Sequence, residues 1–349
     1  MHNLELTEDQ TMILDTVRKL VSDAVEPSVL DLDEHRRHAR APFEALTELG
    51  LFGIPVPEDR GGAGMGLLPL VAALEEIGSC SASLARLLIE QSSAALALCA
   101  GPADAAEPVI AGTPAVFLGP EHGIRAAADS IEGVAEFAPG GGTAEILVVV
   151  ASDNGSVVLL TVPGDAAERK DLKSLGLRSS APSRIRFSGA AATRVATGEA
   201  AAAAILRAQI CRWIGTAAVA VGMGRASVEA ARKHASERIA FGKPLLRQAA
   251  VARKLVESRR LVDAARHLAF HAARLFDLGQ DAEAAAMQAR IAAVDAAVSA
   301  ADEGIQIHGG FGYVVEYHVE RHYRDAKTLE VLDGGNASLR DRLAELQFA

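Results

Sequence analysis

The residues best suited to chemistry lie in the last third of the chain, and the first of them end a predicted helix. The segment Arg238-Ile239-Ala240-Phe241-Gly242-Lys243-Pro244-Leu245 places an arginine and a glycine turn between two long helical patterns. An arginine at such a turn can bind a phosphate bidentately, with backbone N–H groups nearby. Taken alone, the same pattern is more typical of a helix C-cap that Phe241 anchors.

A second segment carries three glycines within four residues and reads Gly304-Ile305-Gln306-Ile307-His308-Gly309-Gly310-Phe311-Gly312-Tyr313. Glycine lets another group approach the backbone closely, and the Gln306 amide offers donors and an acceptor to a heterocycle. No buried strand is predicted before the segment, so it is not the dinucleotide fingerprint of a Rossmann fold. The alternative is an ordinary turn between helices, in which His308 packs or faces solvent.

A third segment combines a run of charges with one acid before two glycines. The charges have the composition of a solvated helix face and lie in the run Arg321-His322-Tyr323-Arg324-Asp325-Ala326-Lys327. The acid follows in the segment Leu332-Asp333-Gly334-Gly335-Asn336. A carboxylate beside apolar residues can have a raised pKa, as a catalytic base requires. Asp333 is therefore a candidate base, although an aspartate at a turn or helix N-cap has the same local pattern.

These segments need a scaffold, and the hydrophobic patterns predict a mainly α protein with a central β domain. Residues 1–108 read as helices, beginning at a capping box in which Gln10 follows Thr7. Residues 109–195 contain strand-like runs, two of them joined by Asp153-Asn154-Gly155, a strong hairpin signal. This β domain is short, and the pattern leaves open whether it is a barrel or a sandwich. Residues 196–349 return to long helical patterns, which predict a bundle of the four-helix type.

Composition limits the class of protein. The 349 residues carry a net charge of −10, which argues against a nucleic-acid-binding surface. The apolar stretch at residues 200–224 is interrupted by Arg207 and Arg212, so we expect no membrane helix. The three cysteines are scattered and form no CxxC pair, which indicates reduced thiols, a cytoplasmic location and no metal site.

In this order, the segments resemble the C-terminal half of acyl-CoA dehydrogenases. The patterns RxxFGxxL, IQxxGGxGY, RxYRDA and a final hydrophobic–acid–glycine segment are specific as a set. The resemblance covers residues 205–349 strongly and extends to residues 6–10 and 49–58. It implies a helical domain, a β domain and a helical bundle. It also implies oxidation of an acyl-CoA thioester, in which a carboxylate removes the α proton while FAD accepts the β hydride.

The resemblance implies roles for individual residues as well. Six of them would bind FAD at a subunit boundary: Arg238, Phe241, Gln248, Gln306, Gly309 and Gly310. The first two would contact the FAD of a neighbouring subunit, and the last three would hold its adenine and pyrophosphate side. The implied partners are an acyl-CoA substrate, an electron-transfer flavoprotein, and further subunits in a homomeric or heteromeric dimer or tetramer.

The sequence departs from the family pattern where the base is expected. The family commonly carries a glutamate in a Tyr-Glu-Gly-Thr segment, and the matching residues here are Leu332-Asp333-Gly334-Gly335. Asp333 is one methylene shorter than glutamate, and Glu330 is a weaker second candidate. Some members carry the acid on the first helix of the bundle, where this chain has Arg212 and Trp213. The β domain also lacks the TEPxxGSD and Trp-Ile-Thr segments that line the flavin ring in the family.

Three hypotheses follow. The first is an FAD-dependent acyl-CoA dehydrogenase with Asp333 as base. The second is a non-catalytic or FAD-sharing subunit of a heteromeric acyl-CoA dehydrogenase, of the short type found in steroid breakdown. The third keeps the fold but reacts with oxygen, as a flavin oxidase or N-hydroxylase, and no residue of the sequence specifically favours it.

Overall fold

Helices make up the first third of the chain in the computed structural model, which describes residues 6–127 and 130–348. They are α1 (Glu8–Leu20), α2 (Val29–Glu34), α3 (Arg40–Glu48), α4 (Leu68–Cys80), α5 (Ala82–Leu98) and α6 (Glu107–Ile110). The predicted capping box begins α1: the Thr7 hydroxyl accepts from the Gln10 N–H, and the Gln10 side chain accepts from the Thr7 N–H. Every residue of α5 is buried, so this helix lies at the centre of the molecule.

A mixed sheet follows these helices. Its strands are β1 (Ala115–Leu118), β2 (Ile124–Ala127), β3 (Ser130–Ala138), β4 (Ile146–Asp153), β5 (Ser156–Pro163), β6 (Glu168–Asp171), β7 (Ser183–Ala191) and β8 (Thr193–Thr197). They run in the order β6-β7-β3-β2-β4-β5-β8, and β1 also pairs with β4. The pairs β1–β4 and β2–β4 are parallel, and the others are antiparallel.

The predicted hairpin joins β4 to β5. Asn154 and Gly155 form its two-residue loop, and both adopt the positive φ that such a loop needs, at 49° and 84°. Strand β4 is buried on both faces, because Leu147 belongs to the core of the sheet while Val148 belongs to the core shared with the helices. The alternation of side chains along a strand accounts for this division.

The last part of the chain is again helical. Its helices are α7 (Gly198–Glu237), α8 (Ala249–Asp277), α9 (Glu283–His308), α10 (Val319–Val331) and α11 (Gly335–Phe348), and a two-stranded ribbon, β9 (Ile239–Ala240) and β10 (Lys243–Pro244), lies between α7 and α8. The predicted order of helices, central β part and helices is thus confirmed.

Helix α7 is the central element of the bundle and also packs against α4 and α5. Its length and hydropathy would suffice to cross a membrane, but 89% of its most apolar 18-residue window is buried inside the protein. A side-chain carbon at Gly222 would lie 2.1 Å from the carbonyl oxygen of Glu75 on α4. Small residues therefore permit the close crossing of α7 and α4, and α7 is a core helix.

Candidate functional site

The structure brings the first two glycine-bearing segments together at one end of the bundle. The ring of His234, near the end of α7, stacks on the ring of His308, the last residue of α9, with 4.4 Å between centroids. Arg238 follows His234 by one helical turn, and Gly309 directly follows His308. Two segments that are about 70 residues apart along the chain therefore meet at one surface.

This surface is open. Phe241 is 94% exposed, and the Arg238 side chain is exposed without an ion-pair partner among the described residues. Gln306 also faces solvent. A side-chain carbon placed on Gly309 or Gly310 would meet no described atom within 4 Å. The backbone of this turn is accessible to a ligand or a second chain.

Gln248, the remaining residue of the predicted FAD site, is half-buried near the turn at residues 240–243. Its side-chain amide lies 3.5 Å from the carbonyl oxygen of Ala240, which is a long hydrogen bond. Gln248 thus lies beside the turn that carries Phe241, and its amide is only weakly engaged within the chain.

Most of the charged segment at residues 321–327 is buried, so its interpretation as a solvated helix face is wrong. The carboxylate of Asp325 accepts from the backbone N–H of Leu177 at 2.7 Å, and burial raises the pKa of Asp325 to about 6. The Arg324 guanidinium donates to Asp33 on α2 at 2.6 Å. The segment therefore ties α10 to the loop before β7 and to the N-terminal helices.

Asp333 lies in the loop between α10 and α11, and it is clamped by two arginines. Its Oδ2 accepts from Arg86 Nη1 at 2.8 Å, and its Oδ1 accepts from Arg86 Nη2 at 2.6 Å. Oδ1 also accepts from the Arg212 guanidinium. The Asp333 side chain is only 3% exposed, and the two arginines come from α5 and α7.

The clamp is part of a larger network that joins the three parts of the chain. Arg86 also donates to Glu90 on α5, and Arg212 donates at 3.0 Å to Glu121 in the loop after β1. Arg290 of α9, which is fully buried, donates to the carbonyl oxygen of Leu332 at 2.5 Å. We call the ion-paired set the arginine–carboxylate cluster: Arg86 and Arg212 with Glu90, Glu121 and Asp333. Arg290 lies beside this cluster but donates to backbone carbonyls and to Asn336 rather than to a carboxylate.

The electrostatics of Asp333 are the opposite of what the sequence suggests. Burial alone would raise the pKa of its carboxyl, but the charges of Arg212 and Arg86 outweigh burial and hold that pKa well below its ordinary value. The expectation that apolar neighbours increase its proton affinity is therefore wrong. Glu330 forms a half-exposed ion pair with Lys327, so it does not join Asp333 in the cluster.

Sequence reasoning missed most of this cluster. In the sequence, Arg212 stands out only as a charge that interrupts an apolar stretch and as a position without an acid, and Arg86, Glu90 and Glu121 belong to none of the motifs. One signal was present, because Arg86 and Glu90 stand four residues apart in an otherwise apolar helical stretch. His122 lies beside Glu121, with 3.6 Å between Nε2 and Oε1, and burial lowers its pKa.

Comparison with known proteins decides the family. Models of the acyl-CoA dehydrogenase N-terminal and C-terminal domains match residues 7–102 and 201–347. The cyclohex-1-ene-1-carbonyl-CoA dehydrogenase of Geobacter metallireducens is 30% identical over 371 residues, which span 95% of this chain and 96% of the relative. The chain belongs to the acyl-CoA dehydrogenase family.

Solved structures share the fold over the whole chain. A chain from a structure of the electron transferring flavoprotein of Acidaminococcus fermentans has a TM-score of 0.91 at 25% identity, with 100% of both chains covered. Butyryl-CoA dehydrogenase of Megasphaera elsdenii has a TM-score of 0.89 at 24% identity, with 99% of both covered. Since the likeness spans all three parts of the chain, this protein keeps the architecture of the family although its β part is short.

Proposed function

We propose that the protein is an FAD-dependent acyl-CoA dehydrogenase that forms a double bond between the α and β carbons of an acyl-CoA thioester. Family membership supports this proposal. The observation that carries it is the meeting of two exposed glycine-bearing turns at the ends of α7 and α9. All three cysteines are free thiols, which supports a place in the reducing cytoplasm.

The residues present fit FAD on its nucleotide side. The exposed guanidinium of Arg238, which has no ion-pair partner in the described part of the chain, suits a phosphate. The open backbone at Gly309 and Gly310 allows a bulky group to approach closely. Gln306 and Gln248 offer amides, and Phe241 offers an exposed ring. When bound, FAD supplies the acceptor for the β hydride. Because these groups point outward, we propose that they bind FAD together with a second subunit, and that an electron-transfer flavoprotein reoxidises it.

The proposed base is Asp333, which stands at the acid position of the family segment. In the arginine–carboxylate cluster both of its oxygens accept hydrogen bonds from Arg86, and one also accepts from Arg212. Its carboxylate is a weak base while these bonds persist. Removal of an α proton therefore requires Asp333 to leave at least one arginine.

Anaerobic reduction of the flavin tests the proposal. Protein loaded with FAD is mixed with a broad panel of acyl-CoA thioesters, and we expect bleaching of the flavin absorbance with at least one of them. Asp333→Asn should slow bleaching by roughly 100-fold or more if general base catalysis operates. Asp302→Asn, on the exposed side of α9, is the matched control and should bleach like the wild type. A loaded protein that no thioester bleaches would refute the proposal.

A second candidate function is supported by a contrast within the molecule. The two glycine-bearing turns are exposed, and Arg238 has no ion-pair partner among the described residues, whereas the side chain of Asp333 is buried between Arg86 and Arg212. A chain of this kind suits the short, non-catalytic subunit of a heteromeric acyl-CoA dehydrogenase. Its turns would help to bind the FAD of a partner subunit, and that partner would carry the catalytic base. Co-expression with a glutamate-bearing family member should then give a mixed oligomer with fewer flavins than chains. A stable homo-oligomer with one FAD per chain would eliminate this candidate.

A further inference from the structure

Arg290 is a fully buried charge that forms no ion pair within the described part of the chain. Its guanidinium, on α9, donates instead to the carbonyl oxygens of Leu329 and Leu332, at 3.1 and 2.5 Å, and to the side-chain oxygen of Asn336 at 2.5 Å. Burial lowers the pKa of Arg290 to about 10, so the group is still charged at pH 7. A buried charge is unfavourable unless hydrogen bonds and neighbouring charges offset its loss of water.

The three acceptors of Arg290 lie on both sides of Asp333. Leu329 lies in the last turn of α10, and Leu332 directly precedes Asp333. Asn336 lies in the first turn of α11. Carbonyl groups at the C-terminus of a helix lack partners within the helix and carry partial negative charge. The positive charge of Arg290 therefore stabilises the end of α10 and ties it to the beginning of α11.

The loop between these two helices has an unfavourable backbone conformation. Asp333, Gly334 and Gly335 adopt φ of 55°, 85° and 80° in succession. Glycine tolerates this left-handed region, but aspartate adopts it at a cost. A backbone hydrogen bond from the Gly335 N–H to the Leu332 carbonyl oxygen, at 2.8 Å, closes the loop. Because Arg290 donates to the same Leu332 oxygen, it holds the loop in this conformation from outside.

The conformation of the loop determines where the Asp333 carboxylate points. In the present conformation it reaches α5 and α7, where Arg86 and Arg212 hold its oxygens. Burial would raise the pKa of Asp333, but the charges of Arg212 and Arg86 and, to a smaller extent, that of Arg290 outweigh burial. Arg290 therefore acts on Asp333 in two ways, through the backbone of the loop and through its charge.

We propose that Arg290 is a positioning residue, which directs the Asp333 carboxylate into the arginine–carboxylate cluster by holding the backbone on both sides of it. Arg290 donates to the loop and not to the acid, so it acts on the reaction only through Asp333. For its effect on the rate, this inference rests on the proposed function, because only a catalytic acid makes the position of this carboxylate matter. A base that is displaced by about 1 Å can lose on the order of 100-fold in rate.

A double-mutant cycle, measured by thermal unfolding, distinguishes positioning from ordinary packing. Arg290→Gln removes the charge and the forked donor, and Asp333→Asn removes the carboxylate. Asp333→Asn should lower the unfolding temperature of the wild type by roughly 4–7 °C. In the Arg290→Gln background it should lower that temperature by less than about half as much, because a misdirected carboxylate contributes less to the cluster. Arg290→Lys keeps the charge and can still donate to carbonyl oxygens, so it should retain most of the effect.

Val262→Ala on α8 is the packing control. Val262 is buried and packs against Gly224, which lies about 18 Å along α7 from Arg212 at 1.5 Å per residue. The control should destabilise the chain through lost packing. It should leave the effect of Asp333→Asn unchanged, because distant sites contribute additively.

The cycle overturns the proposal if Asp333→Asn lowers the unfolding temperature as much in the Arg290→Gln background as in the wild type. If Arg290→Gln does not fold, Asn336→Ala takes its place, because it removes one of the three acceptors that hold Arg290. The same comparison then decides: a smaller effect of Asp333→Asn supports positioning, and an unchanged effect overturns it.

Anaerobic bleaching of the FAD-loaded protein tests the effect on the reaction. With a thioester that bleaches the wild type, Arg290→Gln should lower the limiting rate by about tenfold or more. The thioester concentration that gives half of this rate should change by less than about threefold, because Arg290 is buried behind the loop. Arg290→Lys should recover most of the rate, and an unchanged limiting rate in Arg290→Gln would overturn the role in the reaction. If no thioester bleaches the wild type, the proposed dehydrogenase fails, while the unfolding cycle still decides whether Arg290 positions Asp333.

Discussion

Replacement of Asp333 by asparagine should destabilise the fold as well as slow the reaction. Asparagine keeps the shape of the side chain but removes the negative charge that Arg86 and Arg212 share. It also places an NH2 group against guanidinium donors that need an acceptor. Removing one partner of a buried ion pair costs about 3–5 kcal/mol. For a chain of 349 residues we expect the unfolding temperature to fall by roughly 4–7 °C.

The assay is thermal unfolding at pH 7, followed by circular dichroism, with Asp302→Asn as the control for a generic loss of charge. That exposed position should change stability by less than about 0.5 kcal/mol. If Asp333 were a free acid in an apolar pocket, asparagine would leave stability unchanged or raise it. An unfolding temperature for Asp333→Asn within about 1 °C of the wild type would therefore refute the ion-pair argument.

The pH dependence gives a second check on the same variant. The folded state holds the pKa of Asp333 below its ordinary value, through the charges of Arg212 and Arg86 acting against burial. Such a group contributes stability that is fully present above the unfolded pKa, about 3.9, and is lost as the pH falls below it. The gap between wild type and Asp333→Asn should stay constant from about pH 5 to 8 and narrow only in more acid solution.

Three further predictions concern other parts of the molecule. Arg238→Gln should weaken FAD binding by about 10- to 100-fold without lowering the unfolding temperature of the FAD-free chain, as flavin titration and circular dichroism would show; unchanged affinity would contradict its role. Burial raises the pKa of Asp325 to about 6, so Asp325 binds a proton more tightly in the folded protein than in the unfolded one. The stability of the wild type relative to Asp325→Asn should therefore fall as the pH rises from 4 to 6, and a difference that does not change with pH would contradict this. Gly222→Ala should destabilise the chain by about 1–3 kcal/mol, because the added carbon would lie 2.1 Å from the Glu75 carbonyl oxygen; chemical denaturation measures this, and a neutral effect would contradict the close crossing of α7 and α4.

Local signals predicted local structure well. The capping box at Thr7 and the two-residue hairpin at Asn154 are confirmed, because neighbouring residues alone decide both. The order of helices, sheet and helices also followed from periodicity and from the family resemblance. The roles of the six predicted FAD-binding residues remain predictions, although the structure places the turns that carry Arg238 and Gly309 at one end of the bundle.

The chemistry of Asp333 could not be predicted in the same way. Arg86 and Asp333 are 247 positions apart, so only the packing of α5 against the last loop brings them together. The residues before Asp333 in sequence are apolar, but its neighbours in space are guanidinium groups. The apolar residues beside Asp333 in the sequence indicated a raised pKa for its carboxyl. The guanidinium groups beside it in the folded protein lower that pKa instead and keep the carboxylate charged.

The arginines, more than the length of the acid, set the chemistry at this position. Asp333 adopts φ of 55°, a conformation that aspartate tolerates better than glutamate. Restoring the glutamate of the family by Asp333→Glu would add backbone strain and would still place a carboxylate between Arg86 and Arg212. Its pKa would remain depressed, so that substitution alone would not create a strong base. If Asp333 is the base, it must first leave at least one of these arginines.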